Sequence, residues 1–167
     1  VNNFMAKNNI LQIAQLQARY SGTYEFTVTD ALDEQFYKYL SRKLRDVMSV
    51  VPERRVADVF PVDISLDDFE GDVVAGLAGF IHQDILTVDL LWVGDKLRGK
   101  GIGKRLVQMA EEIAIQRGSQ KARIRCAKEN ISFFVGLGYS ITGMMQQLPM
   151  AGAPLSAQGI YWLTKTF

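Results

Sequence analysis

The run Leu91-Trp92-Val93-Gly94-Asp95-Lys96-Leu97-Arg98-Gly99-Lys100-Gly101-Ile102-Gly103-Lys104-Arg105 (LWVGDKLRGKGIGKR) decides how the rest of the chain is read. It starts as the end of an apolar strand, crosses a basic loop and finishes as the first turn of a helix. Gly99, Gly101 and Gly103 surround that helix start. Glycine accepts positive φ and lets the backbone come close to a ligand. The first turn of a helix leaves N–H groups without intrahelical partners, and the dipole favours an anion beside them. Lys96, Arg98, Lys100, Lys104 and Arg105 supply five positive charges against Asp95. A diphosphate suits this arrangement. A solvated basic loop with glycines for turning is the plainer alternative.

Two nucleotide-binding patterns can be set against the run. In G-x-x-x-x-G-K-[ST], Gly94, Gly99 and Lys100 match, but Gly101 stands where a hydroxyl must bind magnesium. The dinucleotide pattern G-x-G-x-x-G also fails, because the spacing here is G-x-G-x-G. A diphosphate held without magnesium or a nicotinamide is therefore preferred.

The chain has 167 residues, 48% of them hydrophobic and 22% charged, which fits one domain with its own core. A net charge of +1 argues against bulk nucleic-acid or membrane binding. Cys126 is the only cysteine and His82 the only histidine, so a disulfide framework is excluded and no metal centre is expected. No apolar run reaches the roughly 18 residues of a membrane span. The first residues lack the plan of a signal peptide, and the expected location is cytoplasmic.

Residues 1–20 read as an arm or short helix, with Ile10, Ile13 and Leu16 loosely spaced, and residues 21–167 as a single domain. Tyr24, Phe26 and Val28 alternate as a half-buried strand. Asp30 can cap the following helix, whose apolar face is Phe36, Leu40, Leu44, Val47 and Val51, with Pro52 as its stop. Strands are predicted over 58–66, 73–81 and 85–93, with an acidic turn at 67–72. A helix over 102–117 buries Ile102, Leu106, Met109, Ala110 and Ile113 and ends at Gly118. A strand at 122–126, a short helix at 129–137, a strand at 139–145, a loop at 146–158 and a strand at 159–166 complete the order. The fold class is α/β, with a mixed, mostly antiparallel central sheet flanked by helices.

These motifs together resemble the GNAT superfamily of N-acetyltransferases. The resemblance rests on the strand Leu90-Leu91-Trp92-Val93, then Arg98-Gly99-Lys100-Gly101-Ile102-Gly103, similar to the family's Q/R-x-x-G-x-G/A opening a helix. It continues through the helix at 109–118, through Phe133-Phe134-Val135-Gly136-Leu137-Gly138-Tyr139, and through the last strand, Tyr161-Trp162-Leu163-Thr164-Lys165. The strand VDLLWV looks like that of small bacterial members. Coverage is good from about Val73 onward and only topological before it.

The resemblance implies the GNAT fold and direct acetyl transfer from acetyl-CoA to a primary amine, with no metal. It implies that Leu91, Trp92 and Val93 hold the pantetheine arm and thioester through their backbone, an N–H near Val93 stabilising the oxyanion. It implies that Arg98, Gly99, Lys100, Gly101, Ile102, Gly103 and Lys104 hold the pyrophosphate, with Asn130 and Phe133 also on the donor. Asn130 could alternatively cap the short helix.

The attacking amine must be neutral, so a base is useful. Asp89 is the candidate, a charge inside an apolar strand on the face of Leu91 and Val93; a structural ion pair is the other reading. His82, at a hairpin end, reads more simply as a surface turn. The family usually protonates the leaving thiolate from a tyrosine where this chain has Phe134. Tyr139 is the catalytic candidate in its stead, then Tyr161, although each also reads as packing. Cys126 reads as buried and inert. Met144, Met145 and Met150 read as pocket lining or core. The acidic run Asp63 to Asp72 reads as a solvated hairpin; bordering the acceptor groove, it would favour cationic amines.

Two functions compete with an active transferase. One is a catalytically weak GNAT-fold module that binds acetyl-CoA in a regulatory role, kept open by Phe134. The other is a nucleotide-binding protein, which Gly101 counts against. The acceptor amine is not legible, and a homodimer is an open expectation.

Overall fold

The computed structural model describes residues 24–29, 31–44, 59–145 and 159–167. The expected arm at 1–20, the cap at Asp30, Val47, Val51, Pro52 and the loop at 146–158 with Met150 lie outside the described residues.

Strand β1 is Glu25–Thr29 and helix α1 is Glu34–Leu44. The cap of α1 is Asp33: its Oδ1 accepts the N–H of Phe36 at 2.9 Å, and its carbonyl accepts the N–H of Tyr37 at 3.1 Å. A capping side chain must sit directly before the first turn, which places the cap here rather than at Asp30. Strands β2 (Phe60–Asp67), β3 (Val73–His82) and β4 (Ile85–Val93) follow as antiparallel neighbours. His82 is exposed beside a tight turn in which Gln83 and Asp84 both have positive φ. Helix α2 is Ile102–Gln116 and strand β5 is Lys121–Ala127. The short helix α3 is Ile131–Val135, shorter than expected because residues Lys128–Asn130 form a separate 3₁₀ turn. Strands β6 (Ser140–Met145) and β7 (Ile160–Thr166) close the chain.

The seven strands lie in the order β1-β2-β3-β4-β5-β7-β6. Among them only β4 and β5 pair in parallel, as the crossover through α2 requires. A larger core under α2 holds Leu66, Leu77, Leu86, Val88, Leu106, Ile124 and Leu163, among others. A smaller one under α1 holds Tyr37, Leu40, Ala78 and Leu90. No described helix is long and apolar enough to cross a membrane.

Two irregularities shape the middle of the sheet. Ala78 pairs with Leu90 but Gly79 pairs with Val88, so Asp89 is an extra residue, a β-bulge. Side-chain packing shows the same shift. Val88, Leu91 and Val93 pack on the α2 side, whereas Leu90 and Trp92 pack on the α1 side. Simple alternation would group Val88 with Leu90 and Trp92. Gly79 makes room for the bulge: a Cβ there would lie 2.5 Å from the Thr87 carbonyl oxygen. The second irregularity is a parting of strands. β4 and β5 pair only over Ile85 to Val88 and Lys121 to Ile124, and no pairing joins them beyond Val88 and Ile124.

Candidate active site

The parting of β4 and β5 opens a cavity of about 520 Å³. One side is Asp89, Leu91 and Val93 of β4; the other is Arg125, Cys126 and Ala127 of β5. Gly99, Gly101, Gly103 and Lys104 lie at the helix end, with Asn130, Phe133 and Phe134 from the 3₁₀ turn and α3. Ligands commonly bind at the carboxyl ends of parallel strands, and this parallel pair follows that rule.

Backbone polarity in the cleft follows from one hydrogen bond. The N–H of Gly94 donates to the Val74 carbonyl at 2.9 Å. Antiparallel alternation then turns the N–H and C=O of Trp92 toward β3 and those of Leu91 and Val93 toward the cleft. The Val93 carbonyl is taken by Arg98, whose Nε donates to it at 3.1 Å. Past Val88 no strand is paired on the cleft side of β4, so the N–H of Val93 and both groups of Leu91 face the cavity. Trp92 turns away. Its ring meets Tyr39 edge-on at 6.0 Å, and the Lys43 ammonium lies 5.2 Å from the Trp92 ring centre.

The loop after β4 is drawn tight by Arg98. Besides Val93, its guanidinium reaches Asp95 at 3.0 Å, an exposed pair of small energetic weight. Gly99 and Gly101 have φ of +72° and +83°, and a Cβ on either would meet nothing within 4 Å. Glycine is needed there for the backbone turn, and the space beside it is open. Gly101 caps α2 without any side-chain bond, and the first rung of the helix runs from the Arg105 N–H to the Gly101 carbonyl at 3.0 Å. The N–H groups of Ile102, Gly103 and Lys104 are left for a ligand. Phe133 leans over this turn: a Cβ on Gly103 would lie 3.3 Å from its ring. A pyrophosphate fits this cradle, which offers unfilled space, open N–H donors and the charge of Lys104.

The structure thus brings together Asp89, Leu91, Val93, Arg98, Gly99, Gly101, Ile102, Gly103, Lys104, Asn130 and Phe133. Trp92, Lys100 and Tyr139 do not line the cavity. Arg105 points elsewhere and pairs with Glu112 at 3.1 Å. Asn130 makes no side-chain capping bond to α3, so its amide is not engaged as a cap. Leu97, Arg125, Cys126 and Ala127 are lining residues that a linear reading did not bring to the site. The signal for Arg125 was its place between the buried Ile124 and Cys126 in a strand that follows a crossover helix.

Tyr139 lies behind the wall. Phe134 lines the cavity, and the Tyr139 ring packs edge-on against it at 6.0 Å. The Tyr139 hydroxyl donates to Glu111 Oε1 at 2.8 Å, and Lys165 Nζ meets Glu111 Oε2 at 2.7 Å. Burial above all, then the Glu111 charge and the hydrogen bond to it, push the phenol far above its ordinary value of 10.0. Below that value both folded and unfolded phenols are protonated. Above it the unfolded chain loses the proton first, the folded state binds more protons, and stability declines. Tyr139→Phe is expected to cost roughly 1–3 kcal/mol at neutral pH by leaving Glu111 Oε1 without its donor, although Lys165 still holds Oε2. It should also flatten the loss of stability above about pH 10, which urea unfolding at about pH 8 and about pH 11 would check.

Cys126 is the remaining reactive group in the wall. Burial, then the charge of Glu129, push its thiol up to about 11. It therefore stays protonated near neutral pH and is a poor nucleophile.

The family model for the Acetyltransferase (GNAT) family matches residues 14–139. An acetyltransferase from Agrobacterium fabrum, Atu2258, is 31% identical over 112 residues, covering 66% of this chain and 77% of that protein. A crystal structure from Agrobacterium tumefaciens assigned as an acetyltransferase superimposes with a TM-score of 0.58 at 28% identity, covering 84% of this chain and 98% of the other. A structure from Bacillus anthracis assigned as a streptothricin acetyltransferase, in complex with acetyl coenzyme A, matches with a TM-score of 0.55 at 15% identity, covering 64% and 62%. The family match and the acetyltransferase relatives identify this cleft, glycine cradle and mostly antiparallel sheet as those of an acyltransferase. The chain belongs to the GNAT family of N-acetyltransferases.

Proposed function

We propose that the protein moves an acetyl group from acetyl-CoA directly to a primary amine. The carrying observation is the continuous cleft, which runs from the glycine cradle past the open amides of Leu91 and Val93 to Asp89. The cradle takes the pyrophosphate, and the Leu91 and Val93 backbone takes the extended arm as a missing strand would. The amine nitrogen attacks the thioester carbonyl and a C–N bond forms. The Val93 N–H donates to the developing oxyanion, an interaction commonly worth about 3 kcal/mol. The C–S bond then breaks and the nitrogen gives up its surplus proton to water, Asp89 having taken, directly or through water, the earlier proton whose loss made the amine neutral.

Among the described residues, no hydroxyl or imidazole lines the cavity. Solvent therefore protonates the leaving thiolate, which a thiol pKa near 8.5 permits. The protonated state of Cys126 favours direct transfer over an acyl-cysteine intermediate. Phe134, buried where the family carries its acid, favours the second reading, a donor-binding module of low turnover. The test is thiol release from acetyl-CoA with a panel of polyamines, aminoglycosides, amino acids and lysine peptides. Release with any of them supports transfer. Tight donor binding without release favours the module.

A further inference from the structure

Arg125 lies in the wall of the cleft, half-buried, and no ion pair holds it among the described residues. Its guanidinium is fixed by an aromatic ring instead. The guanidinium carbon is 5.3 Å from the ring centre of Trp162, its register partner on β7. Arg123 lies over the same ring at 5.2 Å and reaches Thr87 Oγ1 at 3.4 Å, so Trp162 is shared by two cations. Contacts of this kind orient a long side chain while leaving its donors free.

The place of Arg125 in the cleft is set by register. Val88 and Ile124 are the last paired residues of β4 and β5. Asp89 and Arg125 come next on their strands, so a carboxylate and a guanidinium flank the apex of the parting. The pyrophosphate cradle is at the opposite end. Val93 is four residues from Asp89, about 13 Å along a strand at ~3.3 Å per residue. Arg125 is therefore not needed for the donor phosphates.

We propose that the acceptor is an amine carrying a carboxylate close to its nitrogen, an amino-acid-like zwitterion, and that Arg125 selects it. This rests on the transferase reading above. The amine would meet Asp89, and the carboxylate would meet the Arg125 fork, which suits a planar, two-oxygen anion. An acceptor lacking the carboxylate would leave a half-buried guanidinium without its partner, which is costly. A cation beside the acceptor also lowers the pKa of its ammonium and so assists loss of the proton.

The experiment compares amines in matched pairs: phenylalanine with phenethylamine, leucine with isoamylamine, lysine with cadaverine, and phosphoethanolamine with ethanolamine. Each is assayed by thiol release and by calorimetric titration into CoA-saturated protein. The wild type is expected to show a KM and Kd at least about tenfold lower for the carboxylate member of a pair. Arg125→Gln should erase that preference with the acetyl-CoA KM unchanged, and Arg125→Lys should keep part of it. Arg123→Gln should keep it, with thermal melts confirming that each variant is folded. Acetyl transfer without a carboxylate preference, a preference surviving in Arg125→Gln, or a phosphate amine outperforming every carboxylate would overturn this proposal while transferase activity stands. If no amine releases thiol, the transferase reading fails and the titrations decide: Arg125-dependent carboxylate binding upholds the selection, and its absence overturns it.

Discussion

Gly101→Glu is expected to raise the Kd for acetyl-CoA by about a hundredfold or more, a loss of roughly 2.7 kcal/mol. Two costs arise. At φ +83° an L-residue pays roughly 1–2 kcal/mol for its left-handed backbone. The new carboxylate then stands at the N-terminus of α2, where the diphosphate must sit, and repels it. Nothing lies within 4 Å of the introduced Cβ, so the ligand-free fold should survive with only a modest fall in Tm. Gly101→Ala carries the backbone cost alone and should lower Tm while leaving the Kd nearly unchanged. Gly118→Glu is the matched control. Its φ is +85°, its Cβ is equally unobstructed, and it follows the opposite end of α2. It should be destabilised comparably yet bind the donor normally. Calorimetry on the three variants separates strain from site; unchanged affinity in Gly101→Glu would show that the loop does not hold the donor.

Asp89→Asn is expected to lower kcat by about a hundredfold at neutral pH with little change in the acetyl-CoA KM. The amide occupies the same volume, so the bulge and the cleft keep their shape. What is lost is a proton acceptor beside the attacking nitrogen. An alkyl amine titrates near 10.4, and at neutral pH nearly all of it is protonated. As pH approaches that value the neutral fraction grows and the base matters less, so the deficit should narrow across a kcat–pH profile. A deficit constant with pH would instead identify Asp89 as a positioning residue that shapes the bulge.

Local signals carried the fold and the donor half of the site. The helix at 102–116 follows from its 3.6-residue apolar period, and the cradle follows from Gly99, Gly101 and Gly103 at a helix start. Capping is less legible, since Asp30 and Asp33 are chemically alike and only the first helical residue distinguishes them. The far wall of the cleft was harder to read. Arg125 meets β4 only after α2 has crossed the sheet, so its neighbourhood depends on a strand register that no local pattern encodes. The bulge was hidden for a related reason. Asp89 shares the parity of Leu91 and Val93 in a simple count, and only the mismatch of Ala78 and Gly79 with their partners reveals an added residue. Tyr139 was drawn toward the chemistry by its place after Phe133 and Phe134. Its ring is turned instead to the buried Glu111, which a sequence pattern does not disclose.

Among the described residues, four paired residues on each of β4 and β5 are the only strand pairing between two leaves of the sheet, β1 to β4 on one side and β5, β7 and β6 on the other. Beneath that join Val88 and Ile124 are both buried in the core that α2 covers, so side-chain packing continues the contact that the strands give up. On the proposed reading, a donor laid along Leu91 and Val93 would bridge the two leaves, and its binding free energy would add to the stability of the folded sheet. The acetyl donor would then be both reagent and brace.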